Sequence, residues 1–76
     1  MKYELWAMRN CFACSFTKEV LEEKNLQFTE KFVYEDFTMR ELKQKTGKGE
    51  LPAVFCDGEY LGGVDWVSDF INKEKQ

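Results

Sequence analysis

Met8-Arg9-Asn10-Cys11-Phe12-Ala13-Cys14-Ser15-Phe16 is where one periodicity ends and another begins. Before it, Lys2 to Met8 alternates, with Tyr3, Leu5 and Ala7 on one face, which predicts a strand. After it, Ala13, Phe16, Val20 and Leu21 fall at i, i+3, i+7 and i+8, an apolar helical stripe, while Ser15, Lys18, Glu19, Glu22 and Glu23 point outward. Lys24-Asn25 predicts the stop. Both cysteines therefore belong to a strand-to-helix turn. A thiol at that turn lies against backbone N–H groups with no partner inside the helix, which carry the positive end of its dipole and favour thiolate. Arg9, two residues upstream, adds positive charge. Cys14, one turn further in, is expected to be more buried.

Working outward, Gln27 to Tyr34 is rich in aromatic and β-branched residues and predicts a second strand, although Glu30 breaks its alternation. Thr38 and Glu41 match a capping box, and Met39 with Leu42 opens a short helix ending at Thr46-Gly47. Leu51 to Cys56 and Glu59 to Leu61 flank Asp57-Gly58, a strong hairpin signal. Gly62-Gly63 breaks the chain, Asp65 is placed to cap a last helix with Val67, Phe70 and Ile71 on its apolar face, and Lys73 to Gln76 is a polar tail. The order is β-α-β-α-β-β-α. A parallel pair joined by a crossover, plus an antiparallel hairpin, predicts an α/β thioredoxin-like fold: a four-stranded mixed sheet with helices on both faces.

Composition bounds the function. With 76 residues the chain is expected to form a single domain, residues 1–76, and with 43% hydrophobic and 16% aromatic residues it has the means to fill one core. A net charge of -3 gives no basic stripe for nucleic acid. No apolar run approaches the roughly 20 residues of a membrane span, so a soluble cytoplasmic monomer is expected. Three cysteines make an odd set, unlike a secreted disulfide scaffold. The chain has no histidine, and only Cys56 joins the pair, so no structural zinc site with its four ligands is expected. Cys56, inside an apolar strand, reads as a small core residue, and Trp6, Phe28, Phe32, Phe55 and Phe70 read as large core residues. Lys18 reads as a solvated helix lysine, and Phe12 either as a substrate-facing surface or simply as a partly exposed aromatic.

Along nearly its whole length the chain resembles a glutaredoxin. The residues that carry the resemblance are Cys11-Phe12-Ala13-Cys14, Lys18 four residues beyond, Leu51-Pro52 entering the hairpin, Gly62-Gly63-Val64-Asp65 before the last helix, and the stretch from Lys45-Thr46-Gly47 to Pro52. The resemblance implies a thiol–disulfide oxidoreductase with no tightly bound cofactor and glutathione as co-substrate. It implies a cis Pro52 facing the cysteines, the Leu51 backbone pairing with a substrate cysteine, and Gly63, Val64 and Asp65 holding the γ-glutamyl end of glutathione.

The sequence also departs from the family. Phe12 and Ala13 stand where proline and tyrosine are usual, Met8 where a basic residue is usual with Arg9 one step later, Gly49 where a basic residue is common, and Glu50-Leu51-Pro52 where threonine-valine-proline is usual. Arg9, Arg40 and Lys48 are the basic candidates for the glutathione carboxylate.

Chemically, lowering a thiol's pKa raises its thiolate fraction but lowers its nucleophilicity, so the main gain is in departure. Cys11 is thus expected to attack a disulfide and to be released when Cys14 or glutathione resolves the mixed disulfide. Expected partners are glutathione and disulfide-containing proteins, ribonucleotide reductase among the candidates. Two alternatives stay open: a hydrogen donor for ribonucleotide reductase recharged by thioredoxin reductase, and a glutathione-assisted Fe–S cluster carrier.

Overall fold

The computed structural model, which describes residues 1–74, sets out seven elements in the expected order. They are β1 (Tyr3–Ala7), α1 (Phe12–Glu23), β2 (Phe28–Phe32), α2 (Met39–Thr46), β3 (Ala53–Cys56), β4 (Glu59–Gly62) and α3 (Val64–Glu74). The sheet order is β2-β1-β3-β4. β1 runs parallel to β2 and antiparallel to β3, and β3 antiparallel to β4. A parallel pair needs a long crossover, and α1 supplies it. The β3–β4 turn has φ of 51° at Asp57 and 85° at Gly58, both positive as a type I′ hairpin demands.

Alternation along β1 sends its side chains into two cores. Leu5 and Ala7 meet Cys14, Val20 and Leu21 of α1, Val54 of β3 and Val67 of α3. Trp6 points the other way and joins Ala53, Phe55, Leu42 of α2 and Phe37. The Trp6 ring stacks on Phe37 with centroids 4.3 Å apart and leans on Phe55 at 4.8 Å. Its Nε1–H donates to Glu4 Oε1 at 2.9 Å, so the one polar atom of that side chain is satisfied. Helices cover both faces of the sheet as expected.

α2 is framed by local chemistry. The Glu41 N–H donates to Thr38 Oγ1 at 3.2 Å and the Thr38 N–H to Glu41 Oε1 at 3.3 Å, the reciprocal capping box. At the other end Gly47 takes a left-handed φ of 77° and its N–H reaches the Lys43 carbonyl at 2.8 Å, a conformation that glycine adopts without strain.

Several expectations are corrected. The inward face of α1 is Cys14, Thr17, Val20 and Leu21, whereas Phe16 is 42% exposed and Ala13 only half-buried. Thr17 tolerates full burial because its hydroxyl donates to the Ala13 carbonyl at 2.9 Å, which a purely apolar pattern does not register. β2 ends at Phe32. Val33 forms an isolated bridge with Phe37, and Tyr34 turns the chain with φ of 67°. Cys56 is not core: it ends β3 half-exposed, its Sγ 3.5 Å from Met1 Sδ. Asp65 does not precede the last helix but lies in its first turn, because the helix starts at Val64. The expected polar tail is helical to Glu74, and Lys75 and Gln76 lie outside the described residues.

Candidate active site

The β1–α1 turn sets the cysteines. Asn10, with φ of 57°, reverses the chain after β1, a conformation asparagine adopts more readily than most residues. Cys11 follows as the N-cap of α1, extended at φ -119° and ψ 115°, and its Sγ accepts the Cys14 N–H at 3.2 Å. Serine or aspartate oxygen usually occupies this capping role. Here a sulfur receives the amide proton, an arrangement that stabilises negative charge on it.

Cys11 is half-buried and Cys14 is buried, and both thiols are free. Burial, the hydrogen bond with Cys11, and the charges of Cys11 and Glu30 together push the Cys14 thiol up from 9.0 to about 12, against a smaller opposing hydrogen bond from the Met8 backbone. The pair is therefore asymmetric. One sulfur faces a cleft edge and is served by a backbone donor; the other is held protonated inside.

Cys11 borders a small hollow of about 280 Å³ with Asn10, Phe12 and Ser15. Phe12 projects there at 96% exposure. On its other side lies a cleft of about 440 Å³ lined by Cys11, Cys14, Lys18, Glu30 and Phe32, among others. Lys18 is not simply solvated, since its Nζ is 3.3 Å from Glu30 Oε1.

A separate groove of about 470 Å³ collects Leu51, Pro52, Gly63, Val64 and Asp65. The Leu51-Pro52 bond is cis, as the resemblance implies. Gly63 is required by close approach: a Cβ there would lie 2.7 Å from the Pro52 carbonyl oxygen. The end of β1 pairs with the start of β3, Trp6 with Ala53, and Val54 pairs with Gly62 at the end of β4, which brings the groove and Cys11 to one end of the sheet.

Arg9 does not join that groove. Its Nε and Nη2 donate to Glu35 at 2.9 and 3.0 Å, and its guanidinium lies 3.8 Å over the Phe32 ring. Glu35 is held below its ordinary carboxylate range chiefly by that hydrogen bond. Of the basic candidates, only Lys48 lines the groove, together with Glu50, Asp65 and Asp69. Tyr60 and Trp66 complete the wall. The one advance signal for Lys48 was its position just past the α2 stop and ahead of Leu51-Pro52. Among the described residues no three histidine, cysteine or acidic side chains converge to hold a metal ion, and no described helix is long and apolar enough to cross a membrane.

A βαβ unit and hairpin in one mixed sheet, with a CxxC at the first helix and a cis proline before the hairpin, define a dithiol domain of the thioredoxin-like class. A sequence model described as Glutaredoxin matches residues 2–61. Glutaredoxin 1 of Rickettsia conorii is 30% identical over 69 residues, covering 86% of this chain and 67% of that protein. The hybrid peroxiredoxin hyPrx5 of Haemophilus influenzae is 33% identical over 55 residues, 72% of this chain but only 23% of its own length. Among solved structures, a buckwheat glutaredoxin–glutathione complex superposes with a TM-score of 0.82 at 23% identity, over 96% of this chain and 70% of that one. Reduced Escherichia coli glutaredoxin does so with 0.77 at 22% identity, over 99% and 98%. The chain belongs to the glutaredoxin family. It is thereby a thiol–disulfide oxidoreductase.

Proposed function

We propose that the chain reduces protein disulfides or glutathione mixed disulfides by a dithiol mechanism, with Cys11 as nucleophile, Cys14 as resolving thiol and residues 1–76 acting as one domain in the reducing cytoplasm. The observation that carries this reading is the unequal setting of the two sulfurs at one helix end. Cys11 is reachable and accepts the Cys14 N–H, while Cys14 is buried and protonated. Thiolate is the attacking form. Cys11 sulfur bonds to one sulfur of the substrate disulfide, and the other leaves as thiolate. Cys14 then attacks the Cys11 sulfur, which releases the second half as thiolate and leaves the Cys11–Cys14 disulfide, or a free glutathione attacks the substrate-side sulfur and releases Cys11 as thiolate.

In this reading glutathione serves as co-substrate and no cofactor is tightly bound. The backbone of Leu51 beside Pro52 pairs with the bound cysteine. The first-turn N–H groups of Val64 and Asp65, which have no acceptor inside α3, receive the γ-glutamyl carboxylate, and Asp65 meets the amino group. Gly63 lets the chain before α3 close against the Pro52 carbonyl, where a Cβ would lie 2.7 Å from its oxygen. Support comes from the groove that gathers these residues and from the glutathione bound by the buckwheat relative.

One observation favours a second reading of the reductant. The groove carries Glu50, Asp65 and Asp69 against Lys48, and Arg9 is engaged by Glu35, a poor welcome for an anionic tripeptide. A donor recharged by thioredoxin reductase, with ribonucleotide reductase among its acceptors, needs no such welcome.

Intact mass tests the cysteine roles. After limited oxidised glutathione, Cys14→Ser should hold one glutathione on Cys11 and Cys11→Ser none; equal loading of Cys11→Ser would sink the assignment. Coupled turnover with glutathione and its reductase, set beside turnover with thioredoxin reductase, decides the reductant.

A further inference from the structure

Glu30 is the residue that breaks the alternation of β2, and the fold shows where it goes. β2 pairs Leu5 with Glu30. Phe28 and Phe32, two residues to either side, pack against the cluster of Leu5, Ala7 and Cys14, and period-two geometry puts Glu30 on that same face. A carboxylate there is costly unless something uses or neutralises it. Lys18 from α1 lies 3.3 Å away, and the carboxylate side chain keeps 25% exposure. The Glu30–Lys18 pair and Cys14 line one cleft that also reaches Cys11.

We propose that Glu30, held in place by Lys18, is the proton acceptor for Cys14 as it resolves the mixed disulfide on Cys11. This rests on the dithiol reading above. A buried thiol cannot attack until it loses its proton. Pushed up to about 12, Cys14 is almost wholly protonated at pH 7. The largest cause is burial, which persists when Cys11 is tied into a mixed disulfide. A carboxylate whose charge Cys14 feels, lining the same cleft, is placed to take the proton.

The step balances. The Cys14 S–H proton passes through solvent in the cleft to Glu30, and the sulfur electron pair forms the Cys11–Cys14 bond. The bond from Cys11 to the substrate sulfur breaks, and that sulfur leaves as a thiolate with its electron pair. The two cysteines are oxidised and the substrate reduced. The charged or titratable groups around Glu30 are Lys18, Glu22, Cys11 and Cys14 across the cleft and its extension along α1, and Arg9 from the β1–α1 turn.

Ellman's disulfide separates the events, because attack by Cys11 releases one coloured thiolate and resolution by Cys14 releases a second. Glu30→Gln should leave the first phase within about twofold, slow the second about a hundredfold, and make it rise about tenfold per pH unit between pH 6 and 8, where the wild type is much flatter. Glu30→Asp, which keeps the charge, should recover much of the rate. A second phase within about twofold of wild type in Glu30→Gln, with an unchanged pH profile, overturns the role of Glu30. A second phase that survives Cys14→Ser overturns the dithiol reading beneath it and the role of Glu30 together.

Discussion

Cys11 and Cys14 differ in what surrounds each sulfur: a backbone N–H at 3.2 Å for the first, and burial for the second. Turn chemistry alone was enough to foresee both. The consequence for stability follows from Cys14. Its folded value near 12 exceeds the ordinary 9.0, so as pH climbs the unfolded chain releases this proton first. The contribution is intact below pH 9 and is lost progressively as pH rises towards 12. Urea unfolding under reductant at pH 8 and pH 10.5 should show a steeper fall for the wild type than for Cys14→Ala; parallel falls would contradict the assignment. Arg9 shows the opposite lesson. Its charge and position suggested a ligand for glutathione, but its fork is occupied by Glu35, 26 residues away.

At the scale of elements, the groove is made by two loops meeting, and Gly63 is the point of contact. A methyl group there, 2.7 Å from the Pro52 carbonyl oxygen, meets backbone rather than a side chain that can swing aside. Gly63→Ala is therefore expected to cost about 1–3 kcal/mol of stability. It should also raise KM for glutathione several-fold while leaving iodoacetamide labelling of Cys11 at its wild-type rate. A variant with unchanged KM would show that the groove does not receive glutathione. α1 illustrates what patterning misses. The stripe at Ala13 and Phe16 lies one position ahead of the buried Cys14 and Thr17, about 100° around the helix. That phase was hidden because Thr17 buries its hydroxyl by bonding within the helix.

For the whole molecule, the sheet is covered on both faces, and the smaller core depends on one aromatic stack. Phe37, 3% exposed, lies between the β2 turn and α2 and stacks on Trp6 at 4.3 Å. No periodicity marked it, since it belongs to neither element. Phe37→Ala is expected to cost about 3–5 kcal/mol, a large part of the roughly 5–15 kcal/mol that holds a domain of ordinary stability together. A urea midpoint that barely moves would mean the α2 face contributes little.

By itself the sequence determined the order of elements, the strand-to-helix turn that carries Cys11 and Cys14, the capping box at Thr38 and the Asp57-Gly58 hairpin. Each is a contract between residues within four positions of one another, and such contracts are written in local spacing. Tertiary structure decided the inward face of α1, the exposure of Cys56, the engagement of Arg9 by Glu35, and the meeting of Glu30 with Lys18 beside Cys14. These depend on which distant segments the sheet brings face to face. Cross-strand register and helix rotation set that choice, and both are fixed only when the two cores pack.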